Sequence, residues 1–174
     1  MFIPDLQEFP SDHPPTPYGF RLPIKRGGKV GSAHLPADTV LRAVGWLGNQ
    51  VPSSGDTREE CIDRLVLAYE RKQVLSDGTM GWHDCEICTT EDQQCPGGEI
   101  GPVIHWRGRD LRLYGHGHYL IQNQDVVYMA PALVLHYILD HQYRPPDEFV
   151  EAVIVGSFLT PEDLVFVPDE GVVP

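Results

Sequence analysis

Residues 83–88, with the sequence His-Asp-Cys-Glu-Ile-Cys, place three potential metal ligands within six positions. Cys85 and Cys88 have the Cys-x-x-Cys spacing of a zinc knuckle, in which a tight turn directs both thiolates at one point. His83 stands two residues before Cys85, so in extended backbone the two side chains leave the chain on the same side. The segment therefore predicts a metal site with three of its four tetrahedral positions filled. Zinc is the expected metal because thiolate and imidazole suit it, although iron accepts the same donors and stays open.

The fourth ligand has several candidates elsewhere in the chain. Cys95, in the same loop, would complete a closed Cys₃His site. His136 lies in an apolar run of a predicted helix, where a buried imidazole needs a metal or another polar partner. His141, near the end of that helix, is expected to be a cation at the helix C-terminus or a solvent-facing residue. His116 and His118, in Gly-His-Gly-His, could chelate a metal from a strand edge, but a hairpin turn with incidental histidines is the favoured interpretation.

The first helix is predicted to begin after Asp56, with Thr57 and Glu60 as a capping box, and to end near Gln73. Apolar residues recur along it at three- and four-residue steps and should form one buried face: Ile62, Leu65, Val66 and Tyr69. Cys61 within this helix is expected to be a small buried residue rather than a ligand.

The segments that flank this helix have little regular pattern of their own. Residues 1–17 contain five prolines and are predicted to form an extended arm over the domain surface. Residues 43–47 are apolar and are either a buried strand or the end of a helix. Residues 76–101 form a long polar loop that carries the cysteines, and a bound metal would explain a loop of this length.

After the loop the hydrophobic period changes to two. Four short strands separated by turn residues are predicted at 103–106, 111–114, 119–122 and 126–129. Such a succession favours an antiparallel meander. Pro131 then suits the first turn of a second helix, predicted over 132–141 and apolar nearly all round. A third helix is predicted over 146–155, and Thr-Pro-Glu-Asp at 160–163 predicts one more capped turn.

These elements predict the fold class. Helix, sheet and helices follow one another in that order, which indicates an α+β fold in a single domain spanning residues 1–174. We expect a small antiparallel β-meander packed with two or three helices and a long metal-bearing loop.

The charge pattern restricts the partners. The formal net charge is −12, and no lysine or arginine lies between Lys72 and Arg107. Such a field repels nucleic-acid phosphates and anionic membranes, so neither is an expected partner. The favoured interpretation of the charge is that it keeps the protein soluble, and the alternative is that it attracts a basic protein partner. The residues after Met1 do not have the pattern of a signal peptide, and no apolar run approaches the roughly 18 residues of a membrane span. A cytoplasmic location is therefore expected, where clustered cysteines serve as metal ligands or redox centres more often than as disulfides.

The sequence contains no complete catalytic constellation. A catalytic zinc keeps three protein ligands, a water and a nearby carboxylate base, for which Glu86 is the candidate. The nucleobase-deaminase pattern and His-Glu-x-x-His are both missing from the sequence. We favour a non-catalytic accessory or immunity-like binding protein with a structural zinc site. A zinc-dependent hydrolase with an open coordination position and a thiol redox or metal-sensing protein are the alternatives.

Five stretches, scattered over most of the chain, carry a resemblance to a known family. They are FIPDL at 2–6, VGWL at 44–47, GWHDCEIC at 81–88, YMAP at 128–131 and LHYILDHQYRPPDEF at 135–149. They resemble a family of small, uncharacterised bacterial proteins with a domain of unknown function, so the resemblance implies no activity. The family pattern contains the His-x-Cys-x-x-Cys run and two helix histidines that match His136 and His141, but it does not require His116 or His118. The predicted ligand set is therefore His83, Cys85, Cys88 and His136, with Cys95 as the alternative fourth ligand.

Overall fold

The described residues form both α-helices and β-strands. The computed structural model describes residues 2–9, 22–26, 29–36, 38–76, 85–88, 101–113 and 117–168. The strands within these ranges are β1 Glu8–Phe9, β2 Leu22–Arg26, β3 Lys29–His34, β4 Val40–Ala43, β5 Leu75–Ser76, β6 Val103–Trp106, β7 Arg109–Arg112, β8 Gly117–Asn123, β9 Val126–Pro131, β10 Ser157–Phe158 and β11 Val165–Pro168. The helices are α1 Glu59–Glu70, α2 Val134–Asp140 and α3 Asp147–Val155, followed by a 3₁₀ turn at Pro161–Asp163. The predicted α+β class is confirmed.

The largest sheet has six strands, in the order β1-β4-β9-β8-β10, with β5 also paired to β8. β4 and β9 run parallel, and the other neighbours run antiparallel. β11, β3 and β2 form a three-stranded antiparallel sheet, and β6 and β7 form a separate hairpin.

The predicted single meander is wrong in its connectivity, although all four of its strands form. β6 and β7 make one hairpin, and β8 and β9 make another inside the six-stranded sheet. Both edges of β8 are occupied, one by β9 and the other by β5 and β10 in succession. No edge of β8 is left for β7, and a period of two in the sequence cannot reveal which strand takes an edge.

The central strands β8 and β9 are buried on both faces. Alternate side chains such as Tyr119 and Tyr128 belong to an apolar cluster that includes the three helices. The side chains between them, such as Leu120 and Met129, belong to a second cluster that contains Ala33 of β3. The sheet therefore lies between a helical layer and the smaller sheet, since successive residues of a strand point to opposite faces.

The helix boundaries differ slightly from the prediction. α1 begins at Glu59 with Arg58 as its N-cap residue, so the predicted capping box at Thr57 is wrong. α2 begins at Val134 because Pro131 still pairs with β8 at the end of β9. The predicted capped turn is confirmed at Pro161–Asp163. No helix within the described ranges combines the length and apolarity that a membrane crossing requires.

The described part of the predicted arm, residues 2–9, joins the central sheet. Ile3 is buried and bridges to Trp46, and β1 pairs with the edge of β4. The carboxylate of Asp5 accepts hydrogen bonds from the Gly45 N–H at 2.8 Å and from the Tyr143 hydroxyl at 2.9 Å. Burial raises the pKa of Asp5, and these two donors offset only part of that rise. The arm is thereby connected to the segment that follows α2.

Candidate metal centre

Helix α2 supplies two histidines to one point at its C-terminal end. His136 lies within the helix, and His141 is its C-cap residue. A regular helix would place residues five apart about 140° around its axis from each other. His141 has φ −113° and ψ 6°, outside the helical region, and this departure accompanies the return of its ring towards His136. The two imidazole rings meet edge to face with their centroids 4.7 Å apart.

The turn at 85–88 supplies the two cysteines. Cys85 is buried in the apolar cluster of the helical layer, while Cys88 is half-buried at its margin. The backbone N–H groups of Cys88 and Ile87 donate to the Cys85 sulfur. Amide donors of this kind stabilise a thiolate, the form in which cysteine binds a metal.

The four ligand atoms lie at the separations of a tetrahedral site. The Cys85 Sγ is 3.2 Å from the His141 Nε2, and the Cys88 Sγ is 3.2 Å from the His136 Nε2. The two Nε2 atoms are 3.1 Å apart, and all four ligand atoms lie within 4.8 Å of one another. Zinc bonds of ordinary length in tetrahedral geometry separate sulfur from nitrogen by about 3.5 Å and nitrogen from nitrogen by about 3.3 Å. The donor set and its dimensions therefore fit a single metal ion.

Asp140 orients one of the histidines. Its Oδ2 lies 2.6 Å from the Nδ1 of His136, four residues earlier on the same helix. A carboxylate in this position holds the proton on Nδ1, which leaves Nε2 as the nitrogen that would bind a metal. This carboxylate–histidine pair is the arrangement that commonly supports a metal-bound imidazole.

The electrostatics of the cluster favour a bound cation. Burial raises the pKa of the Cys85 thiol, but the hydrogen bonds from His136 and the Cys88 N–H bring it below its ordinary value. Burial lowers the pKa of His136, but Cys85 and Asp140 bring it above its ordinary value. Burial and the nearby His136 lower the pKa of His141. The metal-free cluster therefore favours a thiolate beside an imidazolium, and a metal cation can take the place of that proton.

Cys61 differs from Cys85, because its environment favours the thiol over the thiolate. It is fully buried in α1, as predicted, and burial raises the pKa of its thiol to about 12. It serves as an apolar packing residue and does not belong to the cluster.

The structure brings together three of the four residues predicted as ligands: Cys85, Cys88 and His136. The fourth, His83, lies outside the described residues, together with Cys95, His116 and most of the predicted metal loop 76–101. His118 is buried against Trp46, with the ring centroids 5.0 Å apart, and is not part of this cluster.

His141 is the residue that the sequence-based interpretation misplaced. It does lie at the helix end, but its ring is half-buried and contacts both cysteine sulfurs. Residues five apart do not share a face of a regular helix, so helical periodicity argues against pairing His136 with His141. The two rings meet because the helix breaks at its C-cap, and the sequence pattern does not show that break. The one sequence signal in favour of His141 as a ligand was the family pattern, because it contains both helix histidines.

A family model described as "Domain of unknown function (DUF7919)" matches residues 1–154. The chain belongs to this family. The predicted resemblance to a domain of unknown function is thereby confirmed, and the match to DUF7919 spans all four residues of the cluster. No curated protein and no solved structure matches the chain. Membership of DUF7919 carries no activity with it, so the functional argument depends on the Cys₂His₂ cluster, which is compatible with a metal site.

Proposed function

We propose that this chain is a zinc-binding protein whose metal has a structural role. The observation that carries the proposal is the convergence of four ligand atoms, from Cys85, Cys88, His136 and His141, within 4.8 Å of one another. Two thiolates and two imidazoles form a donor set typical of structural zinc. Zinc is favoured over iron because the set satisfies its tetrahedral preference and requires no redox chemistry.

The metal would fix the turn at 85–88 onto the end of α2. This turn forms no helix or strand, and Cys85 is its only fully buried residue. Ordering each residue of backbone costs about 1–2 kcal/mol, which the burial of one small side chain offsets only in part. Coordination by two segments distant in sequence supplies the remaining stabilisation.

Four protein ligands favour a non-catalytic protein. A tetrahedral shell filled by side chains leaves no position for the water that a zinc hydrolase activates. We therefore propose an accessory or immunity-like binding role in the cytoplasm, where the cysteines stay reduced. The net charge of −12 supports a basic protein as the partner.

The test of the metal site is elemental analysis combined with X-ray absorption at the metal edge, on protein purified without added metal. We expect one zinc per chain with two sulfur and two nitrogen ligands. His141→Ala should reduce zinc occupancy, whereas the matched variant His83→Ala should retain it if His141 is the fourth ligand. Loss of zinc from His83→Ala alone would instead assign the fourth position to His83. Three protein ligands with an added oxygen would contradict the structural role, and protein without metal would contradict the site.

The test of the partner class is electrostatic. Polylysine and polyglutamate of equal length are titrated against the zinc-loaded chain at low and high ionic strength. We expect association with polylysine alone, weakening with salt as exposed charges are screened. Equal association with both polymers, or with neither, would contradict the proposal.

A further inference from the structure

The proposed metal centre has a buried half and an accessible half. Cys85 and His136 are only 5% and 4% exposed, respectively. Cys88 and His141 are half-buried and lie on the side nearer to solvent. Of the two cysteines, Cys88 is therefore the more accessible to a small solute from water.

Resting on the zinc site proposed above, we propose that Cys88 is a modification site for hydroperoxides such as hydrogen peroxide, and that its oxidation releases the metal. Thiolates are the nucleophilic form of cysteine, and their oxidation follows thiolate character and exposure. Cys88 combines partial exposure with a place in the proposed zinc site, where its sulfur would bind the metal as a thiolate. Cys85 has the same chemistry but lies on the inner side.

The chemistry requires two thiolates and one peroxide. The Cys88 thiolate attacks one peroxide oxygen, the O–O bond breaks, and the sulfur becomes a sulfenic acid while hydroxide leaves. The Cys85 thiolate then attacks the Cys88 sulfur, the S–O bond breaks, and a second hydroxide leaves as the disulfide forms. Two protons from solvent convert both hydroxides to water. The two sulfurs lose two electrons in total, and the peroxide gains them.

The geometry allows the second step and explains the release. The two sulfurs lie within 4.8 Å of each other, and only two residues separate the cysteines. Disulfide formation removes both thiolate ligands, so that only the two imidazoles of His136 and His141 remain. Two nitrogen ligands do not hold a structural zinc, and the 85–88 turn would then lose its attachment to α2.

Cys61 provides an internal control. It is fully buried, and burial keeps it as a thiol, the less reactive form. Because Cys95 lies outside the described residues, the experiment uses a Cys95→Ser background, in which three cysteines remain to be counted.

The experiment begins by measuring zinc content and then adds hydrogen peroxide in the presence of a chromophoric zinc chelator. We expect one zinc released for every two thiols lost, with Cys61 unmodified. Dimedone, which traps sulfenic acids, is added during a parallel oxidation, and mass spectrometry locates the adduct. Cys88 should carry at least ten times as much adduct as Cys85. Dithiothreitol and zinc added afterwards should restore both thiols and the bound metal.

Two variants extend the test. Cys85→Ser removes the second thiolate, so the Cys88 sulfenic acid should accumulate, whereas Cys88→Ser should leave Cys85 at least tenfold slower to label. The dimedone experiment in the Cys95→Ser background keeps all four residues of the proposed site. It therefore gives an answer even if Cys85→Ser or Cys88→Ser fails to fold. Zinc-loaded protein whose thiols persist in peroxide, or whose adduct lies mainly on Cys85, would overturn this inference alone. Protein that holds no zinc before peroxide is added would overturn the proposed function and this inference with it.

Discussion

The central sheet and the Cys/His cluster are held together by different means. Strands β8 and β9 are covered on both faces by apolar side chains, and the stabilisation is divided among many contacts. The cluster instead joins two segments, 48 to 56 residues apart along the chain, through four polar atoms. Stability of the sheet should therefore depend on packing, whereas the cluster should depend on one cation and on the pH that governs its ligands.

Because the two regions are stabilised differently, loss of a core side chain and loss of the metal should have different effects on the protein. Loss of one large core side chain weakens the whole cooperative unit, with or without metal. Loss of the metal should affect first the 85–88 turn and the end of α2, because these are the parts that coordination joins. Substitutions in the two regions therefore test whether the regions are energetically distinct.

The largest expected effect comes from Phe149→Ala in α3. Phe149 is fully buried, and its ring meets the Tyr128 ring edge to face at 6.0 Å. Truncating a buried phenylalanine costs about 3–5 kcal/mol, so the free energy of unfolding should fall by this amount. Urea denaturation of zinc-loaded and chelator-treated protein measures it, and the loss should be similar in both. The control Leu67→Ala, at a position 42% exposed on α1, should change stability by less than about 0.5 kcal/mol.

Removal of the proposed zinc should have the next largest effect. At free zinc a hundredfold above its dissociation constant, a metal that binds only the folded chain stabilises it by about 2.7 kcal/mol. A chelator should remove that amount, as measured by urea denaturation. Hydrogen exchange should accelerate around Cys85 and His141 while β8 and β9 stay protected. Cys85→Ser should show no further change with chelator, and a uniform rise in exchange would contradict the distinction between the two regions.

The same contrast explains which parts of the fold could be predicted. In the sequence, β6 to β9 appeared as short apolar runs between turn residues, α1 as one apolar face, α2 as a run that is apolar nearly all round, and α3 by the acidic residues at its start. Pairing did not follow from pattern: the parallel partner β4 and the short edge strands β5 and β10 contribute few residues each. The hairpin of β2 and β3 also lacked a clear apolar alternation.

The candidate metal centre was predictable to the extent that its residues were adjacent in sequence. The spacing of Cys85 and Cys88 indicated a metal site. His136 was a candidate because a polar ring in an apolar helix is costly to bury without a partner. His141 depends on the backbone leaving the helix at its C-cap, which no spacing rule encodes. The role predicted for His83 stays a prediction, since that residue lies outside the described ranges.

Asp140→Asn should have a smaller effect, and it should lower zinc affinity through His136. The carboxylate holds the Nδ1 proton of His136, and loss of such a partner typically weakens metal affinity 10–100-fold, about 1.4–2.7 kcal/mol. Zinc competition against a chelator of known affinity measures it. The control Asp125→Asn, which changes an exposed carboxylate in the β8–β9 turn, should leave zinc affinity unchanged. Unaltered affinity in Asp140→Asn would mean that the carboxylate does not support a bound imidazole.

The smallest effect concerns a turn remote in sequence from both cysteines. The Asp163 carboxylate accepts hydrogen bonds from the Thr160 N–H at 2.7 Å and the Thr160 hydroxyl at 2.8 Å. These donors lower the pKa of Asp163 from its ordinary value of 3.8. Because the folded-state pKa lies below the unfolded one, the carboxylate stabilises the chain above pH 3.8, and this is lost as pH falls through the folded pKa.

Asp163→Asn should therefore lower the free energy of unfolding by about 0.5–1 kcal/mol at neutral pH, the usual cost of a lost cap. The difference from the wild type should shrink as the pH falls below 3.8, the ordinary value for this carboxyl. Thermal denaturation across pH 3–7 measures both trends, with Glu162→Gln as the exposed neighbouring control. Zinc content should not change, because the substitution touches neither the cluster nor its supporting carboxylate. A loss of zinc in Asp163→Asn would show that the C-terminal turn and the metal centre are coupled.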